Sequence, residues 1–417
     1  MVKKILTEKR ILIFILFIAV FTRSIALILF MQKYDITVHD NGMSAYPLID
    51  DSQGYYQGAI NLIENKGYNI SSYPPGYSVF LSILYYFFGT SILAYAIPQI
   101  ILGSACCYFT YVIAKETFSS KTGLIASFML SVYPSIVWWT SYIRSENLFI
   151  PLQLLSIIFF MRAVKNNFAS RNIILSGIFF ASAFFCRNVI LYLPIFIAVY
   201  LFIFFFITKR KMLIVVVATT FFLSCYIPPL LWAYKNYVCH GQFTSTADDR
   251  WAAFSGCNNL PTANLPFFDL YEIVLDYNKE GKSLSGIEGV AFVKEYPMKY
   301  SKLCLKRFLA YWSPTTKTPR FMKKVVDAFI YIFVFPMAFY GFYKSKWWLG
   351  FKPAPTLLIT VIVYYTVLHS LVALDHNLIY TYPIIPLVCI FSAYGYYAYF
   401  TRNEEKTGDF THVKTKT

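Results

Sequence analysis

Apolar runs of bilayer-spanning length recur along this chain, and that repetition constrains its fold more than any single motif. A transmembrane helix needs about 20 mostly apolar residues. Ten segments read as crossings: Ile11–Met31, Ile92–Ala114, Gly123–Tyr142, Asn147–Ala163, Ile173–Phe185, Val189–Thr208, Met212–Trp232, Val325–Tyr343, Pro355–Leu374 and Ile379–Phe400. Backbone facing lipid must satisfy its own hydrogen bonds, so each run is expected as a helix. Composition agrees, with 57% hydrophobic, 20% aromatic and only 14% charged residues. That balance excludes an ordinary soluble globular protein and predicts an all-α polytopic membrane protein.

Basic residues set the expected topology. The opening "MVKKILTEKR" precedes an apolar run too long for a signal-peptide core, so the first helix is expected to be uncleaved with its N-terminus inside. The short inside loops then hold Lys115 and Lys121; Arg162, Lys165 and Arg171; Lys209 to Lys211; and Lys344, Lys346 and Lys352. Each is basic, as the positive-inside rule requires. The net charge of +16 is spread between apolar runs and forms no basic stripe, which points to anionic lipid and away from nucleic acid. Tyr77 to Phe88 is too short to span comfortably, and counting it would place the basic loops outside. It is expected as a helix at the outer surface, entered through the rigid "YPPGY" turn.

This topology gathers the polar groups that stand out from the apolar background on one outer face: Asp50 and Asp51; Arg144 and Glu146; Arg187 and Asn188; Lys235 and Asn236; Asp375 and His376. The expected division is an N-terminal transmembrane catalytic module, 1–233, with a first outer loop at 32–91; an extracytoplasmic lid, 234–324; C-terminal helices, 325–400; and a cytoplasmic tail, 401–417. Each residue also has a plainer role. Arg144 and Arg187 can anchor helix ends by snorkelling, Glu146 suits a helix N-terminus, Asp50 or Asp51 can cap a helix from Ser52 to Asn65, and Asp375–His376 can be an ordinary loop. Convergence of five separate segments on one face favours chemistry. Eight cysteines show no metal spacing; Cys239, Cys257 and Cys304 lie in the lid, where a disulfide is possible in an oxidising space.

The inventory suits transfer of a sugar from a lipid phosphate. The lipid tail needs a groove between helices, the phosphate needs Arg or Lys near the interface, and an acceptor hydroxyl needs a carboxylate base. A lid would exclude water. Trp251 and Trp312 suit sugar stacking or lid packing equally.

The motifs carry a family resemblance. "DSQGYYQGAINLIENKGYNISSYPPGYSVFLSILYYFFG", Asp51 to Gly89, resembles the opening run of bacterial GT-C glycosyltransferases, relatives of dolichyl-phosphate-mannose protein mannosyltransferases and aminoarabinose transferases. "SENLFIPL", "FFCRNVILYLP", "WAYKNYVCHGQFTSTADDRWAAFSGCNN" and "YPIIPLVCIFSAYG" resemble later family motifs in the same order. The resemblance implies a GT-C-like bundle with outer juxtamembrane helices, and inverting transfer from a polyprenyl-phosphate sugar on the extracytoplasmic face of a bacterial inner membrane. It implies Asp51 as general base with Asp50 in reserve, and Glu146 orienting the acceptor. Arg144, Arg187, Lys235 and His376 would bind the donor phosphate, and Tyr55, Tyr77, Asn236 and Trp251 the substrate. Lys235 stands where relatives often have Arg, and "DHNLIYTYP" lacks an Arg expected there. No cofactor is required; the Asp50–Asp51 pair leaves a divalent ion open, and no glycine run cradles a nucleotide. The acceptor is a lipid, glycan or protein hydroxyl. A polysaccharide ligase or polymerase, which would rely on Arg250 and His240, and a secondary transporter, which would show repeated spans, are the alternatives.

Overall fold

A computed structural model describes residues 2–37, 51–68, 73–209, 211–244, 254–264, 286–312, 321–346, 350–372 and 379–412. The helices are α1 (Val2–Tyr34), α2 (Ser52–Ile63), α3 (Pro75–Phe88), α4 (Ile92–Thr117), α5 (Ser120–Ser131), α6 (Pro134–Trp139), α7 (Glu146–Lys165), α8 (Ser170–Cys186), α9 (Leu193–Ile207) and α10 (Lys211–His240). After them come α11 (Leu260–Asn264), α12 (Gly286–Glu295), α13 (Pro297–Tyr311), α14 (Phe321–Lys344), α15 (Pro353–Leu371) and α16 (Ile385–His412). No strand occurs among the described residues.

Among the described residues, seven segments are long and apolar enough to cross a bilayer: Leu6–Tyr34, Ile92–Thr117, Glu146–Lys165, Asn188–Ile207, Val215–His240, Pro353–Leu371 and Tyr380–Thr401. α3 and α8 are apolar but shorter. The chain is therefore a multi-pass membrane protein. Exposed Ile13, Phe14, Phe17 and Phe21 on α1, and Phe202 and Phe206 on α9, form the lipid-facing belt that this requires.

One expected crossing, Gly123–Tyr142, is not a single helix. α5 stops at Ser131, the chain is extended at Tyr133, and α6 restarts at Pro134. Proline has no N–H to continue the ladder and pushes the residue before it out of the helical region. α6 then ends at Trp139, and Thr140 to Arg144 runs irregularly into α7. Irregular backbone at this depth survives only where protein satisfies it, and here three side chains do so. Gln99 Nε2 donates to the carbonyls of Thr140 (2.9 Å) and Tyr142 (3.0 Å), Asn147 Nδ2 to those of Trp139 (3.2 Å) and Tyr142 (3.3 Å), and the Tyr95 hydroxyl to that of Ser141 (3.3 Å).

Ion pairs fix which helix ends share a side. Lys115, at the end of α4, pairs with Glu8, near the start of α1, at 2.8 Å. Glu116 pairs with Arg162, at the end of α7, at 3.7 Å. The opposite end therefore holds the end of α1 and the starts of α4 and α7, and there the Tyr34 and Tyr142 hydroxyls meet at 3.0 Å. A main core runs through α4, α5, α7 to α9, α15 and α16. A second cluster packs α2 and α3 against the ends of α1 and α4, with Tyr142 and Ile143. α3 approaches α8 closely: a Cβ on Gly76 would lie 2.6 Å from the Phe185 carbonyl oxygen. Cys239, Cys257 and Cys304 are all free thiols.

Candidate active site

The irregular 140–145 segment is the anchor of the site. Ser52, the first residue of α2, donates its hydroxyl to the Ile143 carbonyl at 2.7 Å, which docks the start of α2 on that segment. Asp51 sits at the N-cap of α2, yet its side chain makes no capping hydrogen bond. Its carboxylate lies instead 3.9 Å from the Arg144 guanidinium. Arg144 is buried, its guanidinium 4.7 Å from the centre of the Trp139 ring, and its backbone N–H donates to the Tyr77 hydroxyl at 3.0 Å.

A second pair stands beside the first. Glu146 opens α7 and Arg187 closes α8, and the Arg187 Nη1 hydrogen-bonds Glu146 Oε1. The Glu146 side chain is only 6% exposed, and its Oε2 is buried with no hydrogen-bond partner among the described residues. Tyr55, one turn into α2, joins the two pairs. Burial pushes its hydroxyl well above the usual phenol range, with Arg187, Asp51, Ser145 and Glu146 all near enough to act on it. It is thus a protonated donor at any working pH. Burial opposes the charge of Arg187, but Glu146, Tyr55, Asp51 and Tyr380 together hold its affinity for a proton above the ordinary arginine value.

The two carboxylates differ in availability. Unit charges 4 Å apart interact by roughly 1 kcal/mol in water and about 4 kcal/mol in a half-buried setting. Asp51 is 35% exposed and stands at the outer limit of pairing distance from Arg144. Glu146 is enclosed and committed to Arg187 through one oxygen. Of the two, Asp51 is the more accessible carboxylate.

The structure thus brings together Asp51, Tyr55, Arg144, Glu146 and Arg187 from α2, the 140–145 segment, α7 and α8. Tyr77 belongs to the support: it is fully buried, and its hydroxyl donates to Gln99 Oε1 while accepting the Arg144 N–H. Lys235 and Asn236 lie on the last turns of α10. The Lys235 ammonium sits 4.7 Å from the Trp232 ring centre, and Trp232 packs edge-on against Phe185, two residues before Arg187. Asn236 is buried and donates to the Thr244 carbonyl at 2.8 Å. Asp50, Trp251, Asp375 and His376 lie outside the described residues. Among the described residues no three His, Cys, Asp or Glu side chains group as a metal site would need, and Asp51 and Glu146 each face a guanidinium. The described donor set does not fit a divalent ion.

Sequence reasoning missed the amides and hydroxyls that hold this site: the buried Gln99, Ser145 and Ser52 and the half-buried Asn147. Gln99 left a signal, a lone amide inside an apolar span, where an unsatisfied polar group is costly. It also missed a polar aromatic layer behind Arg187. Tyr365 donates to Gln153 Oε1, His369 Nδ1 contacts the Tyr365 carbonyl at 2.8 Å, and the His369 ring stacks on Tyr311 of α13 with centres 5.4 Å apart.

Comparison with known proteins places the architecture. Residues 72–232 match the sequence profile of the dolichyl-phosphate-mannose-protein mannosyltransferase family. The structure is similar to the archaeal oligosaccharyltransferase AglB of Archaeoglobus fulgidus, solved with an inhibitory peptide and a dolichol-phosphate, with a TM-score of 0.59 and 14% identity over 99% of this chain and 53% of that one. It is also similar to ArnT of Cupriavidus metallidurans bound to undecaprenyl phosphate, with a TM-score of 0.55 and 12% identity over 90% of this chain and 59% of that one. The chain therefore spans a little over half the length of these proteins. No curated protein sequence matches it. The fold is an all-helical membrane bundle similar to that of these two proteins. Within it, the segment carrying α3 to α9 and most of α10 is the part that matches the mannosyltransferase family profile.

Proposed function

We propose that the protein is an integral-membrane glycosyltransferase. It moves a sugar from a polyprenyl-phosphate donor to an acceptor hydroxyl, with inversion, at the end of the bundle where α7 begins and α8 ends. That end faces away from the cytoplasm, in the inner membrane of a bacterium. The observation that carries this reading is the meeting of Asp51, Arg144, Glu146 and Arg187 at one point, in a chain whose residues 72–232 match the mannosyltransferase family profile. The solved relatives' dolichol-phosphate and undecaprenyl phosphate supply the donor class.

In the reaction, Asp51 accepts the proton of the acceptor hydroxyl as its oxygen attacks the anomeric carbon from the face opposite the phosphate. The bond from that carbon to the phosphate oxygen breaks, and the electron pair leaves with the polyprenyl phosphate. Arg187, with Arg144 and Lys235, balances the growing charge on the leaving phosphate. Glu146 fixes Arg187 and presents Oε2 as an acceptor for a substrate hydroxyl. The substrate lies against Tyr55 and the Asn236 end of α10. Tyr77 serves by holding Arg144, and the lid residues around 234–324 exclude water.

The test is turnover of a labelled polyprenyl-phosphate sugar by purified protein, wild type beside Asp51→Asn. Loss of a general base costs about 10²–10⁴ in rate, so Asp51→Asn should bind donor normally and turn it over that much more slowly. Equal turnover would remove Asp51 from the role, and failure of the wild type to bind donor would overturn the glycosyltransferase reading.

A further inference from the structure

The geometry points to the outward face of α13 as a docking surface for anionic phospholipid headgroups. At about 100° per residue, Met298, Leu305 and Leu309 fall within a narrow stripe, and they are 70%, 59% and 52% exposed. Lys302 and then Lys299 stand next to that stripe on one side, both exposed, with Ser301 and the exposed Phe308 on the other. The opposite face, with Leu303, Arg307, Ala310 and Tyr311, is buried. α13 contains three lysines and an arginine and no acidic residue. An apolar stripe edged by lysines on an otherwise docked helix is the pattern of an interfacial helix attracted to negative lipid.

The helix is also held at the depth this requires. Tyr300 Oη and Arg307 Nη1 both donate to the carbonyl of Leu371, at 3.2 and 3.4 Å, and Leu371 is the last residue of the Pro353–Leu371 span. Arg307 further grips the Cys257 carbonyl and, at 3.0 Å, Asn258 Oδ1, while Asn258 Nδ2 reaches the Val372 carbonyl at 3.0 Å. α13 is therefore bound to the end of a membrane-spanning helix, where headgroups begin, with its second apolar stripe exposed among the described residues. The buried arginine serves the clamp, while Lys302 and Lys299, whose ammonium also lies 5.2 Å from the Tyr296 ring centre, stay exposed beside the stripe to meet lipid phosphate. Lys306 is the exception, since it donates to the Ala263 carbonyl at 3.2 Å.

The experiment uses the full-length protein in nanodiscs of phosphatidylcholine with or without phosphatidylglycerol, carrying a photo-crosslinking amino acid at Leu305 or, as the buried control, at Leu303. Position 305 should form lipid adducts that favour phosphatidylglycerol, and position 303 should not. Lys299→Gln with Lys302→Gln should reduce the preference for phosphatidylglycerol severalfold and leave adducts with phosphatidylcholine in place. Amide exchange of α13 in the unmodified protein should slow when phosphatidylglycerol is included. No lipid adduct at 305 with unchanged exchange overturns the proposal; so does an adduct to a second copy of the chain or to added polyprenyl phosphate. Sugar transfer is not measured, so the outcome is independent of the glycosyltransferase reading.

Discussion

Arg187 occupies one oxygen of Glu146 and leaves the other, Oε2, buried without a hydrogen-bond partner among the described residues. This asymmetry makes Glu146 structural through Oε1 and available through Oε2. Breaking a buried pair from one side costs about 3–5 kcal/mol, because the remaining charge is left uncompensated. Glu146→Gln should therefore destabilise the protein by about 3 kcal/mol, near the lower limit because Arg187 retains some exposure. A double-mutant cycle with Arg187→Met should return a coupling of about 1–3 kcal/mol. Unfolding in mixed micelles measures both. Asp51→Asn should cost less than Glu146→Gln, since Asp51 is itself 35% exposed and stands 3.9 Å from the buried Arg144. Equal losses at Asp51 and Glu146 would refute the division of roles.

Gln99 controls the position of Arg144 without touching it. Its amide donates to two carbonyls of the broken segment, and its oxygen accepts from Tyr77 and, at 3.0 Å, from Asn147. Gln99→Leu keeps the apolar bulk and removes every one of these bonds. A buried group left unsatisfied costs about 1–3 kcal/mol, so the loss should reach about 3 kcal/mol or more. If the segment shifts, transfer should fall as well, with the unfolding midpoint and donor turnover read on the same preparation. Unchanged turnover in folded Gln99→Leu would show that the segment keeps its place without the amide.

The contrast between Gln99 and the charged residues explains what the sequence could and could not disclose. Asp51, Arg144, Glu146 and Arg187 stood out because charge beside apolar spans is expensive, and alternation of basic loops assigned them to one side. The structure brings those four together. Tyr77, a substrate contact only by what the family resemblance implies, is buried in the structure as a strut. The broken crossing at Ser131 to Pro134 escaped notice because hydropathy averages over a window and cannot see one missing N–H. Pairing is equally invisible: that Glu146 would meet Arg187, 41 residues away, depends on α7 and α8 packing antiparallel.

The close approach of α3 to α8 gives a steric test. With 2.6 Å between a Cβ at position 76 and the Phe185 carbonyl oxygen, no ordinary side chain fits unless one helix moves. Overpacking of this kind costs about 1–3 kcal/mol. Gly76→Val should therefore destabilise the α3 contact, and because Phe185 lies two residues before Arg187, it should also impair donor turnover. Gly89→Ala offers the comparison: that glycine has a positive φ of 71° and nothing within 4 Å, so its cost is local strain without displacement of α8. If Gly89→Ala impairs turnover as much as Gly76→Val, the effect is not transmitted through α8.

Arg23 poses the sharpest energetic question. It is fully buried in the Leu6–Tyr34 span, with Nη1 donating to the carbonyls of Ala19 at 3.0 Å and Ser131 at 3.5 Å, and no carboxylate pairs with it among the described residues. The Ser131 carbonyl ends α5, so the cation sits at the negative end of a helix dipole, an arrangement giving up to about 2 kcal/mol. Desolvating the charge costs several kcal/mol, and Nε lacks a partner. The Ser131 carbonyl also keeps the Thr22 hydroxyl at 2.9 Å when the arginine is removed. Arg23→Met, similar in length and uncharged, should therefore be neutral or stabilising by about 1–3 kcal/mol, whereas Arg23→Ala should destabilise by leaving a cavity. Gly103 supplies the internal check. A Cβ there would lie 2.6 Å from Arg23 Nε, so Gly103→Ala should be costly in the wild type and tolerated in the Arg23→Ala background. A clear loss of stability in Arg23→Met would show instead that the guanidinium, and not its volume, holds the end of α5 in place.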